Sequence, residues 1–167
     1  EAGVDFFISK PIFQSVVQDV LLKATRRRQS ADTLPVQKED FAGRRILLVE
    51  DNEINMEIAR TLLEFRNASV DGACNGQQAV EMFRSSPQNH YDAVLMDVRM
   101  PVMDGIAATQ AIRGLNRADA ATVPILAMTA NAFAEDIERS RKAGMNEHLA
   151  KPIEPETLYA RLASYFR

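Results

Sequence analysis

Three uninterrupted apolar runs, each closed by a polar residue that can do chemistry, limit this chain's fold most. Ile46-Leu47-Leu48-Val49 leads into Glu50-Asp51, Ala93-Val94-Leu95-Met96 into Asp97, and Ile125-Leu126-Ala127-Met128 into Thr129. A fourth segment ends at Lys151. Continuous apolar runs of this length read as strands buried on both faces, the pattern of a parallel sheet covered by helices. All four polar positions are then expected at the carboxyl ends of parallel strands, the edge where an open α/β sheet gathers its chemistry.

Glu50, Asp51 and Asp97 brought to one edge would repel one another unless something positive lay among them. A hard divalent cation with oxygen ligands is the natural solution, and Mg²⁺ is the expected one. Neighbouring strands lie about 4.8 Å apart, so Asp51 and Asp97 can share one ion if their strands adjoin. Lys151 adds the remaining positive charge and Thr129 a hydroxyl donor. Such a set suits phosphoryl transfer to a carboxylate. Between residues 44 and 167 the basic residues are arginines except for Lys142 and Lys151. A compact ammonium at 151 fits a single phosphoryl oxygen better than a forked guanidinium would.

From residue 45 onward strand and helix patterns alternate. Strands are expected near 45–50, 69–73, 91–97, 123–129 and 147–150, and helices near 54–66, 76–85, 105–115, 132–143 and 155–166. Ile54, Ile58, Thr61, Leu62 and Phe65 recur at helical spacing, as do Ala79, Val80 and Phe83, so each helix has one stripe to bury against the sheet. Met100-Pro101-Val102-Met103-Asp104-Gly105 reads as a turn, with Pro101 fixing one φ and Gly105 relaxing another. Five βα units with short connections imply a doubly wound, five-stranded parallel sheet. The expected order is 2-1-3-4-5, with the first and third strands adjoining at the switch point.

The stretches ILLVEDN (46–52), LMDVRMPVMDG (95–105), AMTA (127–130) and AGMNEHLAKPI (143–153) resemble, in order and spacing, the receiver domain of two-component response regulators. The resemblance implies a flavodoxin-like fold with Asp97 as phosphoacceptor, charged by a histidine kinase or a histidine phosphotransfer domain. It also implies that Asp51, Asp97 and the backbone carbonyl of Arg99 bind Mg²⁺, with Glu50 acting through a water. Thr129 and Lys151 would contact the phosphoryl group, and Arg99 and Asn131 would tune its lifetime. A receiver of this kind phosphorylates and dephosphorylates itself and is not a turnover enzyme. Where the family usually has Tyr or Phe, three residues before the lysine, this chain has His148.

An internal repeat bears on the first 43 residues. Setting Glu1–Ile12 against Lys142–Ile153 matches Ala2 with Ala143, Gly3 with Gly144, Lys10 with Lys151, Pro11 with Pro152 and Ile12 with Ile153. Residues 1–29 therefore read as the last strand and helix of a preceding receiver, 30–43 as a polar linker, and 44–167 as a complete receiver. The parent is expected to be a tandem-receiver hybrid histidine kinase. Val16, Val17, Val20, Leu21 and Leu22 form an apolar stripe in the remnant. Without its own sheet such a stripe seeks cover. A homodimer through this helix is one expected cover.

Composition sets the outer bounds. A net charge of −3 gives no electrostatic case for nucleic acid. The apolar runs are too short to span a bilayer, so no membrane contact is expected of this segment. The single cysteine, Cys74, has no partner for an internal disulfide, which points to a reduced, cytoplasmic setting. Two other readings use the same elements: an unphosphorylated interaction module on this fold, and an aspartate-nucleophile phosphatase of the haloacid-dehalogenase type. The phosphatase wants a second acid two residues after its nucleophile, where this chain has Arg99.

Overall fold

The computed structural model describes residues 39–130 and 134–166. The expected strand at 6–8, the apolar stripe from Val16 to Leu22, the linker as far as residue 38, and Asn131 lie outside the described residues.

Five strands, β1 (Arg45–Val49), β2 (Ser69–Ala73), β3 (Ala93–Asp97), β4 (Ile125–Thr129) and β5 (Glu147–Ala150), form one sheet in the order β2-β1-β3-β4-β5. Every pairing is parallel. Among the described residues the helices are α1 (Glu53–Glu64), α2 (Gly76–Ser85), α3 (Gly105–Arg113), α4 (Ala118–Thr122), α5 (Ala134–Ala143) and α6 (Pro155–Tyr165). None is long and apolar enough to cross a membrane.

Successive side chains of a strand face opposite ways, so the apolar runs feed two cores. Leu47, Val49, Val94, Met96, Ile125 and Ala127 pack with Phe83 of α2 and Ile112 of α3. Ile46, Leu48, Leu95, Leu126 and Met128 face the other side, with Leu63 of α1 and Leu158 and Leu162 of α6. Side-chain caps begin three helices: Asn52 accepts from the N–H groups of Ile54 and Asn55, Asn75 from Gln78, and Asp104 from Ala107. Each supplies a partner for amides that the helix leaves unpaired.

The stripe expected on the first helix is not the one it buries: Ile54, Thr61 and Phe65 are exposed, and α1 turns Ala59 and Leu63 inward instead. Three further details differ from the sequence expectation. The helix expected near 105–115 is present as α3, which ends at Arg113 with Gly114 as its cap, but a further short helix at 118–122 was not expected. Five residues are too few to show a period. In the β3–α3 loop the positive φ belongs to Val102, at 69°, rather than to Gly105. Gly105 is required for closeness instead, since a Cβ there would lie 2.1 Å from the Asp97 carbonyl oxygen.

The third detail concerns the stretch read as linker. Phe41 is 2% exposed and packs edge-on against Tyr159 and Phe166, while its N–H bonds the carbonyl of Arg66 at 2.7 Å. Phe41 thus anchors the end of this stretch on the sheet domain.

Candidate functional site

The register brings the polar chain ends together. Val49 pairs with Met96 across β1 and β3, so the residues that follow, Glu50 and Asp97, leave adjacent strands side by side. Asp97 pairs with Met128, and Thr129 with Ala150, which sets Lys151 one step beyond on the next strand. A backbone bond of 2.8 Å from the Lys151 N–H to the Thr129 carbonyl fixes that step. The switch in strand order falls between β1 and β3, where a crevice must open.

Glu50, Asp51 and Asp97 each present a carboxylate oxygen within 4.8 Å of the others. Glu50 is 3% exposed and Asp97 6% exposed, whereas Asp51 is open to solvent. Lys151 Nζ donates to Glu50 Oε2 at 2.5 Å and to Asp97 Oδ2 at 2.6 Å. Burial acts to lower the Lys151 pKa, but the bonds and charges of Asp97 and Glu50 outweigh it and the net shift is upward. The ammonium is therefore firmly charged. Asp97 Oδ1 accepts from the backbone N–H of Arg99 at 3.1 Å, which orients the acid from its own chain.

The remaining predicted residues are placed around this cluster. Thr129 is buried at the end of β4. Arg99 follows Asp97 by two residues, but its side chain is exposed and lies 3.7 Å from Asp136 of α5. His148 is half-buried on β5 opposite Ala127, and its buried Nε2 has no hydrogen-bond partner among the described residues. Burial lowers its pKa, Glu147 works against that, and Arg141 adds to it. Sequence reasoning missed Asn55, whose Nδ2 donates to Glu50 Oε1 at 3.1 Å. Its one signal was position, in the first helical turn after the acids.

Three carboxylates and a lysine in this space can hold a hard divalent cation and an incoming anion together. Carboxylate oxygens are the donors such a cation prefers, and one lysine leaves the three acids with a net charge of about −2 to be neutralised.

Solved structures share both fold and sequence. The receiver domain of sensor histidine kinase PA1611 from Pseudomonas aeruginosa PAO1, determined with a magnesium ion in its active site cleft, is 41% identical with a TM-score of 0.67, over 74% of this chain and 98% of that one. The receiver domain of Ssk1 from Saccharomyces cerevisiae, determined in complex with the histidine phosphotransfer protein Ypd1, is 31% identical with a TM-score of 0.65, over 73% of this chain and 88% of that one. The signal transduction histidine-protein kinase BarA of Escherichia coli K12 is 34% identical over 163 residues, which is 98% of this chain and 17% of BarA. The chain thus spans about a sixth of the length of that relative. The model of the response regulator receiver domain matches residues 46–163. That span takes in all three acids as well as Thr129 and Lys151, and the chain belongs to the response regulator receiver domain family.

Proposed function

We propose that Asp97 is the phosphoacceptor of a two-component phosphorelay, receiving its phosphoryl group from a partner phosphohistidine with Mg²⁺ held by Asp51, Asp97 and the Arg99 carbonyl. Glu50 acts on the ion through a water. One arrangement carries this reading: a buried aspartate at the switch point, gripped by Lys151 and flanked by two further acids within 4.8 Å. The magnesium in the PA1611 receiver and the phosphotransfer partner of the Ssk1 receiver support it.

In the reaction a carboxylate oxygen of Asp97 forms a bond to phosphorus as the phosphorus–nitrogen bond of the donor breaks, and the imidazole leaves with the electron pair and takes up a proton. The result is an acyl phosphate. A cation held by Asp51 and Asp97, when bound, would offset negative charge on the transferring group. Lys151, already 2.6 Å from Asp97, shifts its donors to a phosphoryl oxygen, and the Thr129 hydroxyl holds another. Arg99 and Asn131 then set how readily water reaches the phosphoryl group.

Residues 1–29 we read as the end of a preceding receiver and residues 30–43 as the join, in a parent of the hybrid histidine kinase type. A reduced, cytoplasmic compartment fits the exposed free thiol of Cys74. The phosphatase reading is disfavoured because Arg99, not an acid, stands two residues after Asp97, with its guanidinium near Asp136.

The test is direct labelling. Incubation with Mg²⁺ and a small phosphodonor should give an acid-stable, base-labile adduct at Asp97, and Asp97→Asn should abolish it while the fold persists. Labelling that survives in the variant would sink the assignment, and a wild-type chain that takes no label would favour the unphosphorylated module.

A further inference from the structure

We infer that Asn55 is a positioning residue for Glu50 and, through it, sets how tightly the acid cluster holds a divalent cation; the inference rests on the metal reading above. Glu50 is buried with its two oxygens committed to different elements. Oε2 accepts from Lys151 at 2.5 Å, and Oε1 accepts from Asn55 Nδ2 at 3.1 Å, with the Asn52 N–H farther away at 3.4 Å. The carboxylate plane is therefore held from both sides.

Among the described residues, the Asn55 side chain makes no hydrogen bond besides the one to Glu50. Asn52 already caps α1, with its Oδ1 taking the N–H groups of Ile54 and Asn55 at 3.0 and 3.2 Å. The Asn55 side chain is thereby left to reach back over the acid loop. Without it, the strong side-chain contact left to Glu50 is Lys151, which is shared with Asp97. A glutamate tethered only there can turn toward the ammonium and away from the position a cation needs. Outer-shell partners of a metal site, as Glu50 and behind it Asn55 would be, commonly change metal affinity by an order of magnitude or more. Asn55 itself is exposed, and alanine is the better helix former, so its loss should not weaken the helix. Affinity and stability should separate.

The experiment titrates Mg²⁺ alone into the 167-residue chain by calorimetry and measures Tm without metal. In Asn55→Ala, Mg²⁺ affinity should fall about tenfold while the metal-free Tm stays the same or rises. In a Glu50→Ala background, where no carboxylate remains to position, adding Asn55→Ala should change affinity by no more than roughly twofold. Wild-type affinity in Asn55→Ala overturns the inference, as does an undiminished loss in the Glu50→Ala background. A wild-type chain with no saturable Mg²⁺ binding overturns the metal reading, and this inference with it.

Discussion

Lys151 bridges the buried carboxylates of Glu50 and Asp97, at 2.5 and 2.6 Å, and offsets one of their two charges. The acid cluster therefore carries its own tethered counter-ion, the positive charge that the sequence placed at Lys151. Removing one partner of a buried ion pair commonly costs about 3–5 kcal/mol, because the other is left uncompensated. Lys151→Met should accordingly lower the metal-free Tm. An added cation should then restore more in the variant than it gives the wild type, since it takes over a charge the lysine supplied. Phosphorylation should still be slow for want of the ammonium. Calorimetric scans with and without Mg²⁺ check the sign: a smaller metal-induced rise in the variant would contradict it. The upward pKa of Lys151 fixes the pH window. The pair's contribution is complete below the ordinary lysine value of 10.5 and is lost as pH climbs through the higher folded value. The positions of Glu50, Asp51, Asp97, Thr129 and Lys151 were legible in the sequence because each lies at the carboxyl end of a strand or within two residues of it. Asn55 was not, because its partner is a side-chain oxygen across a loop.

At the scale of elements, two joints hold the acceptor strand in place. In the first, the start of α3 lies against β3. A Cβ on Gly105 would come within 2.1 Å of the Asp97 carbonyl oxygen and 2.9 Å of Met96 Cγ. Alanine in place of a helical glycine ordinarily gains up to about 1 kcal/mol. Here Gly105→Ala must instead push α3 or Asp97 aside, so Tm should fall and labelling at Asp97 should slow. An unchanged rate would show that the loop yields without disturbing the acid. The second joint is α4. Arg117 donates to the carbonyls of Phe83, Ser86 and Pro87 at the end of α2, lies over the Phe83 ring at 4.8 Å, and grips both oxygens of Asp119 at 2.7 Å. That grip, aided by the Asn89 N–H, holds the Asp119 pKa down at about 2 against burial. Its stabilisation is present above the ordinary value of 3.8 and is lost as pH falls toward about 2. Asp119→Asn should therefore lower Tm at pH 7 and lose less than the wild type between pH 4 and pH 2, as acid titration of Tm would show. Arg117 and Phe83 are far apart in sequence, so no local pattern announced this joint.

For the molecule as a whole, strand order and the two cores followed from periodicity, because fully buried parallel strands leave little choice of face or register. The edge of the domain was harder to see. Phe41 sits alone among polar residues in sequence, with no period to mark it, yet its ring fills the end of the core between Tyr159 and Phe166. Two truncations that differ by five residues make the consequence measurable. A chain beginning at Glu39 keeps Phe41, its 2.7 Å bond to the Arg66 carbonyl and the Arg66 bond to the Glu39 carbonyl. It should label at Asp97 and melt like the full chain. A chain beginning at Arg44 loses them, and emptying a buried phenylalanine site commonly costs about 3–5 kcal/mol. Its Tm should drop clearly while labelling at low temperature persists, since the acids lie at the other end of the strands. Light scattering on the same pair bears on the homodimer expected from the apolar stripe at Val16–Leu22: self-association present in the full chain should vanish from both truncations. Association that persists in the chain beginning at Glu39 would place the dimer surface on the receiver itself and remove the role proposed for Val17 and Leu21.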